Sequence, residues 1–158
     1  MNATHRTPLL LVFTITLLIL SGRTSATEYT IDPVFFESSM PSKSTTLSQA
    51  LSDTEGSEKV LAMDLAVINK LPASYKIQVV AQTDSSECIN KECLELSLRR
   101  AALVNQWLLE HGVPSTRLLT PIGLGNEQPI SSNSTAIGRG RNRYALPRVV
   151  FRDDELGH

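Results

Sequence analysis

Histidine is scarce in this sequence, which has three histidines in 158 residues. His5 lies near the start, His111 falls at the end of a predicted helix, and His158 is the last residue. A histidine-based catalytic triad or a metal site with several histidine ligands cannot be assembled from them. Asp and Glu are plentiful, but no spacing singles out two carboxylates on facing elements. We therefore expect no enzyme, no metal ion and no cofactor.

An excess of positive charge is also lacking. The chain has 15 Lys and Arg residues against 16 Asp and Glu, a net charge of -1. A protein that binds nucleic acid or an anionic membrane through its charge usually has a basic surplus. The sequence therefore predicts no nucleic-acid partner.

Long apolar runs are lacking as well. The longest spans 9–20 behind Arg6, and twelve helical residues reach only about 18 Å of the ~30 Å needed to cross a bilayer. This pattern, with small residues at 24–26, is typical of a secretory signal. We expect residues 1–26 to be cleaved, and the mature chain to start at Thr27 in the periplasm without a transmembrane span.

Cysteine is limited to one pair, Cys88 and Cys93. In an exported protein an even pair usually closes into a disulfide. The alternative is two half-buried thiols that serve as small core residues. Because four residues separate them, a bridge here would mainly fix local shape.

Strand patterns recur along the chain at 29–36, where 34–36 is the strongest part, and at 76–81, 118–122 and 144–151. They are rich in β-branched, aromatic and aliphatic residues, and the second alternates from Ile77 to Ala81 before ending at Thr83 and Asp84. In the last one, Pro147 removes a backbone donor and indicates a bulge or an edge position.

Two helices are predicted between these strands. One has Leu61, Leu65, Ile68 and Leu71 on one face and ends at Pro72. The second spans about 91–111, and its predicted buried stripe consists of Leu94, Leu98, Ala101, Asn105 and Leu108.

The order of these elements predicts the α+β class. We expect a two-layer sandwich of about four strands in a mixed sheet, with two or three helices packed on it. One domain would span 27–152, with a polar insertion around 40–58 and a frayed tail at 153–158. The polar stretch 38–58 reads as a long loop, with at most a short helix near 47–51. It is either an ordinary loop or a surface for a protein partner.

Three motifs carry a resemblance to a known family. They are Thr83-Asp84 after a strand, a helix that reads LSxxRAxxVxxxL from Leu96 to Leu108, and NxTxxGRxxNR from Asn133 to Arg143. In this order and spacing the chain resembles the OmpA-like peptidoglycan-binding domains, the type represented by the OmpA C-terminal domain, Pal and MotB.

The resemblance implies a binding module without catalysis. Its ligand would be the diaminopimelate residue of the peptidoglycan stem peptide, whose free end has an ammonium and a carboxylate on one carbon. In the matching positions Asp84 would accept from the ammonium, and Arg100 would meet the carboxylate with two parallel N–H bonds. Thr83, Ser39 and Cys93 fall at neighbouring positions of the implied site. Such a domain would associate with the cell wall or outer membrane, and another envelope protein is a further candidate partner.

The sequence departs from the family pattern beside this site. Ala81 and Gln82 replace a Gly-His pair, Glu87 stands where a Gly is common, and Cys93 stands where an Asn is common. These departures support an alternative hypothesis: an assembly or signalling adaptor that keeps the fold but has weak or no peptidoglycan binding.

The charged residues also have structural interpretations. Asp84 could form a turn or cap a helix, and Arg100 could be a solvated charge that lies over apolar surface. For Arg139, Arg141 and Arg143 we expect salt bridges and loop hydrogen bonds within the chain.

Overall fold

The computed structural model describes residues 31–150, so the expected leader at 1–26 and the tail at 153–158 lie outside the described residues. The sheet has four strands in the order β1-β4-β2-β3. They are β1 (Val34–Phe35), β2 (Lys76–Ala81), β3 (Ile122–Gly123) and β4 (Tyr144–Val150). β4 is antiparallel to β1 and β2, whereas β2 and β3 are parallel. The expected mixed sheet of four strands is confirmed.

Four α-helices accompany the sheet in the described part of the chain: α1 (Leu47–Ala50), α2 (Thr54–Lys70), α3 (Lys91–Glu110) and α4 (Ala136–Asn142). α3 contacts β2, β3 and β4, and α2 contacts β1. This arrangement is the α+β sandwich that the alternation of strands and helices predicts.

α2 begins earlier than the sequence predicts. The side chain of Asp53 accepts a hydrogen bond of 3.0 Å from Gly56 N and caps the helix. The prediction of a loop through Glu58 is therefore wrong for 54–58, although the short helix near 47–51 is confirmed as α1. The first turn is polar and gives no apolar periodicity, so the Asp53 cap was the sequence signal for the helix start.

The buried face of α3 differs from the predicted stripe. Leu94 and Leu98 are 46% and 44% exposed, so their assignment to the core was wrong. The buried residues are Cys93, Leu96, Ser97, Arg100, Ala101, Val104 and Leu108. The face was misassigned because two of its central members, Ser97 and Arg100, are polar, and a hydrophobic pattern gives no weight to them.

The third strand is shorter than predicted. Residues Ser115–Arg117 form a 3-10 turn, Leu118 makes an isolated bridge to Ile77, and β3 covers only Ile122–Gly123. Pro121 lies just before β3 and has no N–H to donate, which limits the ladder.

Pro147 lies in β4 opposite Val79 with unbroken register, so it marks no bulge. β1 pairs only with Tyr144 and Ala145. Among residues 31–150, Pro147 therefore has a neighbouring strand on one side only, which confirms the edge interpretation.

The core lies between the sheet and the long helices. Phe36, Ile77, Val79, Leu61 and Leu108 are completely buried. Burial of each large aliphatic side chain contributes about 1.5–3 kcal/mol relative to exposure. This core fixes the end of β2 against α3, which is where the candidate site lies.

Candidate functional site

The chain leaves β2 through a buried polar segment. Gln82, Thr83 and Asp84 are each at most 1% exposed. Thr83 N donates to Gly125 O at 2.8 Å, which ties this segment to the loop after β3. Thr83 Oγ1 is buried and has no hydrogen-bond partner among residues 31–150.

Asp84 is held by an arginine distant in sequence. Its Oδ2 accepts from Arg143 Nη1 at 2.9 Å, and its Oδ1 accepts from Ser86 N and Ser86 Oγ at 2.6 and 2.7 Å. Burial alone would raise the pKa of Asp84, but the bonds from Arg143 and Ser86 outweigh it and lower the pKa below its ordinary value. Asp84 is therefore a stable carboxylate, and its turn interpretation is also realised, through Ser86.

Arg100 is completely buried on α3, so the interpretation as a solvated helix charge is wrong. Three of its N–H groups donate to backbone carbonyls, of Met40 at 2.8 Å, Gln82 at 2.9 Å and Glu37 at 3.1 Å. The other two donate to Glu87, and the guanidinium carbon lies 5.2 Å from the centroid of the Phe36 ring. All five donors of the guanidinium are thus engaged.

Glu87 completes the ion pair with Arg100. Arg100 Nη1 and Nη2 donate to Oε1 and Oε2, each at 2.7 Å, and both side chains are 0% exposed. Ser39 N donates to Oε2 at 2.8 Å, and Asp84 N donates to Oε1 at 3.0 Å. The sequence marked Glu87 as a departure from the family pattern but gave no sign that its carboxylate would reach Arg100.

Three of the five residues expected at the site come together, with an altered pairing, whereas Thr83 and Cys93 make no bond to this group. Ser39, Asp84 and Arg100 all donate to the Glu87 carboxylate, the first two through backbone N–H groups. Ser39 has a φ of 61°, an uncommon conformation for a residue with a side chain. The charged groups of Asp84 and Arg100 each bind a different partner from this chain, so the site is not a simple open pair of charges.

Cys88 and Cys93 form a disulfide, so the alternative of two half-buried thiols is excluded in this structure. Cys93 is 1% exposed at the start of α3. The bridge spans the segment between Glu87 and the helix. By the chain-entropy argument such a short loop contributes roughly 2 kcal/mol, so its effect is mainly local.

The third motif, from Asn133 to Arg143, forms α4 and the loop before it, next to the candidate site. Asn142 is completely buried and its Oδ1 accepts from Ile130 N and Ser131 N at 3.0 and 2.9 Å. Thr135 caps α4 by accepting from Gly138 N at 3.0 Å. α4 was not predicted, because two glycines in seven residues obscure it, although Thr135 was its cap signal.

Two of the three arginines expected to act within the chain, Arg139 and Arg143, do so. Arg143 binds Asp84, and its Nε also donates to Phe36 O at 3.0 Å. Arg139 Nη1 donates to Asn133 O at 3.0 Å. The cluster therefore links α4, β1 and the end of β2.

A polar cleft of about 230 Å³ lies beside Glu87. Its lining residues are Ser39, Glu87, Cys88, Glu92, Glu95, Leu96 and Arg99. The cleft leads from solvent to the Glu87 side of the buried ion pair.

Two further observations limit the chemistry of the described residues. Within 31–150, no group of three or more His, Cys, Asp or Glu residues is placed to hold a metal ion. Across the same part of the chain, no helix combines the length and the apolar character needed to cross a membrane.

Comparison with known proteins identifies relatives for this architecture. A sequence model of the OmpA family matches residues 45–143. Outer membrane protein A of Bordetella avium is 45% identical over 76 residues, which cover 47% of this chain and 37% of that protein. Peptidoglycan-binding protein ArfA of Mycobacterium bovis is 33% identical over 92 residues, which cover 53% of this chain and 27% of ArfA. The match thus spans about a third of these curated relatives.

A solved structure gives the same picture of the fold. The C-terminal domain of Helicobacter pylori MotB superposes with a TM-score of 0.63 at 25% sequence identity. The superposition covers 80% of this chain and 91% of that domain.

Proposed function

The chain belongs to the OmpA family, and from this premise we propose that it is a noncatalytic peptidoglycan-binding module of the bacterial periplasm. We propose that it recognises the diaminopimelate residue of the stem peptide and positions a cell-envelope component at the wall. The cleavable leader at 1–26 belongs to the same proposal, since it would deliver the domain to that compartment.

One observation carries the proposal: Asp84 N–H and Arg100 Nη1 converge on a single carboxylate oxygen, at 3.0 and 2.7 Å. A ligand carboxylate at this point would receive the parallel bonds of a guanidinium, the stronger charge-assisted geometry. The Asp84 carboxylate, which the bonds from Arg143 and Ser86 keep ionised, belongs to the same turn, and in this proposal it also faces the ammonium of the ligand.

A second candidate function is favoured by Glu87. Its carboxylate already binds the two N–H groups of Arg100 that do not donate to backbone carbonyls. This arrangement suits an adaptor that keeps the fold and has weak or no wall binding. In that case the protein would bind another envelope protein through a different surface.

Cosedimentation of the purified protein with insoluble peptidoglycan separates the two functions. We expect the wild type to sediment with the wall, and Arg100→Ala to lose more than tenfold in affinity, since truncation of one member of a buried charge pair costs about 2–5 kcal/mol. Arg100→Lys should restore binding only in part, because an ammonium lacks the planar fork.

Arg148→Ala is the matched control. Arg148 is exposed and pairs with Gln78 near the start of β2, away from Asp84. This substitution removes the same charge as Arg100→Ala and should leave sedimentation with peptidoglycan unchanged. A folded wild type that stays in the supernatant would favour the adaptor function instead.

A further inference from the structure

The Glu87 carboxylate has the surroundings of a bound ligand. It accepts four hydrogen bonds of 2.7–3.0 Å, two from Arg100 and one each from Ser39 N and Asp84 N. Its side chain is 0% exposed although neighbouring residues 85 and 86 are exposed. A single acidic side chain is therefore inserted from a surface turn into a pocket of donors.

Arg100 is held in the pocket by groups other than Glu87. Arg100 is oriented by the carbonyls of Met40, Gln82 and Glu37, which use three of its five N–H groups. The remaining two, on Nη1 and Nη2, point together at the carboxylate. This fork, with the N–H groups of Ser39 and Asp84, would present the same four donors to any carboxylate that replaced Glu87.

The turn that bears Glu87 lies at the surface. Ser85, Ser86, Ile89 and Asn90 are exposed, with Ile89 at 72%. The cleft of about 230 Å³ opens beside Glu87, between Ser39 and the first turns of α3. A carboxylate that enters from this cleft meets Arg100 only after the Glu87 side chain has moved away.

We propose that Glu87 is an internal competitor for the carboxylate pocket formed by Arg100 and the N–H groups of Ser39 and Asp84. The ligand displaces Glu87 when it binds, so Glu87 lowers the affinity of the site for free carboxylates. The inference rests on the proposed function for the identity of the natural ligand, but the occupancy of the pocket is tested without that ligand.

The test uses Glu87→Ala in the purified protein, with acetate as the first probe. Alanine keeps Cβ, and the missing Cγ and carboxylate together correspond to acetate. We expect acetate to raise the Tm of Glu87→Ala well above the effect of an equal concentration of NaCl, and to leave the wild type unchanged. Glu92→Ala, which removes an exposed carboxylate from the same cleft, is the matched control and should not respond to acetate.

The second probe is a diaminopimelate-containing stem peptide, titrated calorimetrically. We expect Glu87→Ala to bind it at least tenfold more tightly than the wild type. If Glu87→Ala does not fold, Glu87→Gln keeps the shape, removes the charge, and should bind more tightly by a smaller factor.

The outcomes separate the inference from the proposed function. A wild type that binds the peptide as well as or better than both Glu87 variants overturns the competitor role and leaves the proposed function standing. A selective acetate effect without peptide binding by any variant supports the occupied pocket and contradicts the proposed function. If acetate has no effect and no variant binds the peptide, both the competitor role of Glu87 and the proposed function are overturned.

Discussion

Arg143 Nη1 donates to Asp84 Oδ2 at 2.9 Å across 59 residues of sequence. The Asp84 side chain is 1% exposed and that of Arg143 is 17% exposed. The pair joins the end of β2 to the junction of α4 and β4. Because Arg143 also donates to Phe36 O, one guanidinium fixes three segments that frame the site.

Arg143→Ala should destabilise the protein by about 3 kcal/mol, because it leaves the buried Asp84 carboxylate without its cation. The free energy of unfolding in urea measures this change. Arg141→Ala, which removes an exposed charge from the adjoining helix α4, should change it by no more than about 0.5 kcal/mol. Equal losses in the two variants would contradict the assigned role of the ion pair.

The stability of the protein should respond to pH through Asp64. Burial raises its pKa to about 6, although the backbone N–H of Asp32 stabilises the charged form, and its Oδ2 has no partner among residues 31–150. The pKa of an Asp side chain in an unfolded chain is about 3.9. The folded state therefore holds its proton more strongly, and stability contributed by protonated Asp64 is lost as the pH rises from about 4 through about 6.

Asp64→Asn should thus stabilise the protein by roughly 1–3 kcal/mol at pH 7.5, with the gain disappearing at pH 4. Urea unfolding at the two pH values measures the difference. Glu58→Gln, on the exposed face of the same helix, is the control and should show no comparable change. A gain for Asp64→Asn that is the same at both pH values would contradict the raised pKa.

The contribution of Asp84 to stability changes with pH in the opposite direction to that of Asp64. Its pKa is lowered, so its contribution to stability is present above the unfolded pKa and is lost as the pH falls through the folded pKa. A fall in pH should therefore weaken the ion pair between Asp84 and Arg143, whereas it should remove the cost of the buried Asp64 charge.

Gly123 allows β3 to lie directly against α3. A Cβ at this position would lie 2.5 Å from Leu98 N and 2.6 Å from Leu94 O, both rigid backbone atoms. Gly123→Ala should therefore cost about 1–3 kcal/mol through overpacking. Thermal unfolding checks this value.

Gly140→Ala is the control for that substitution. Among residues 31–150, a Cβ at this position inside α4 would meet only Arg143 Nη2, at an ordinary 3.7 Å. The substitution should therefore be neutral or stabilise the protein by up to about 1 kcal/mol. A Gly123→Ala variant as stable as the wild type would contradict the close packing of β3 on α3.

The sequence was most informative where local chemistry and periodicity agree. α2 after its first turn, β2 and the extent of α3 follow from apolar spacing and from stops such as Pro72 and Gly112. The pairing of the charged residues could not be predicted in this way. Arg100 and Glu87 are 13 residues apart and meet only because the turn after β2 folds back onto α3.

The same limit applies to the burial of α3. Leu94 and Leu98 have the composition of core residues, yet the buried positions include Ser97, whose Oγ accepts from Gly125 N at 2.9 Å. This partner lies 28 residues away, so its hydrogen bond becomes visible only once β3 is placed beside the helix. The resemblance located Asp84, Arg100 and Ser39 in one region, but their partners required the three-dimensional structure.

The most direct test of the account compares two ligands on the wild-type protein. Calorimetric titration would use a stem peptide containing diaminopimelate and the same peptide with lysine, which keeps an ammonium but lacks the carboxylate beside it. The account predicts that the lysine peptide binds at least tenfold more weakly, because it has no carboxylate to bind the Arg100 fork. Equal affinities for the two peptides would contradict recognition of the zwitterion at this site.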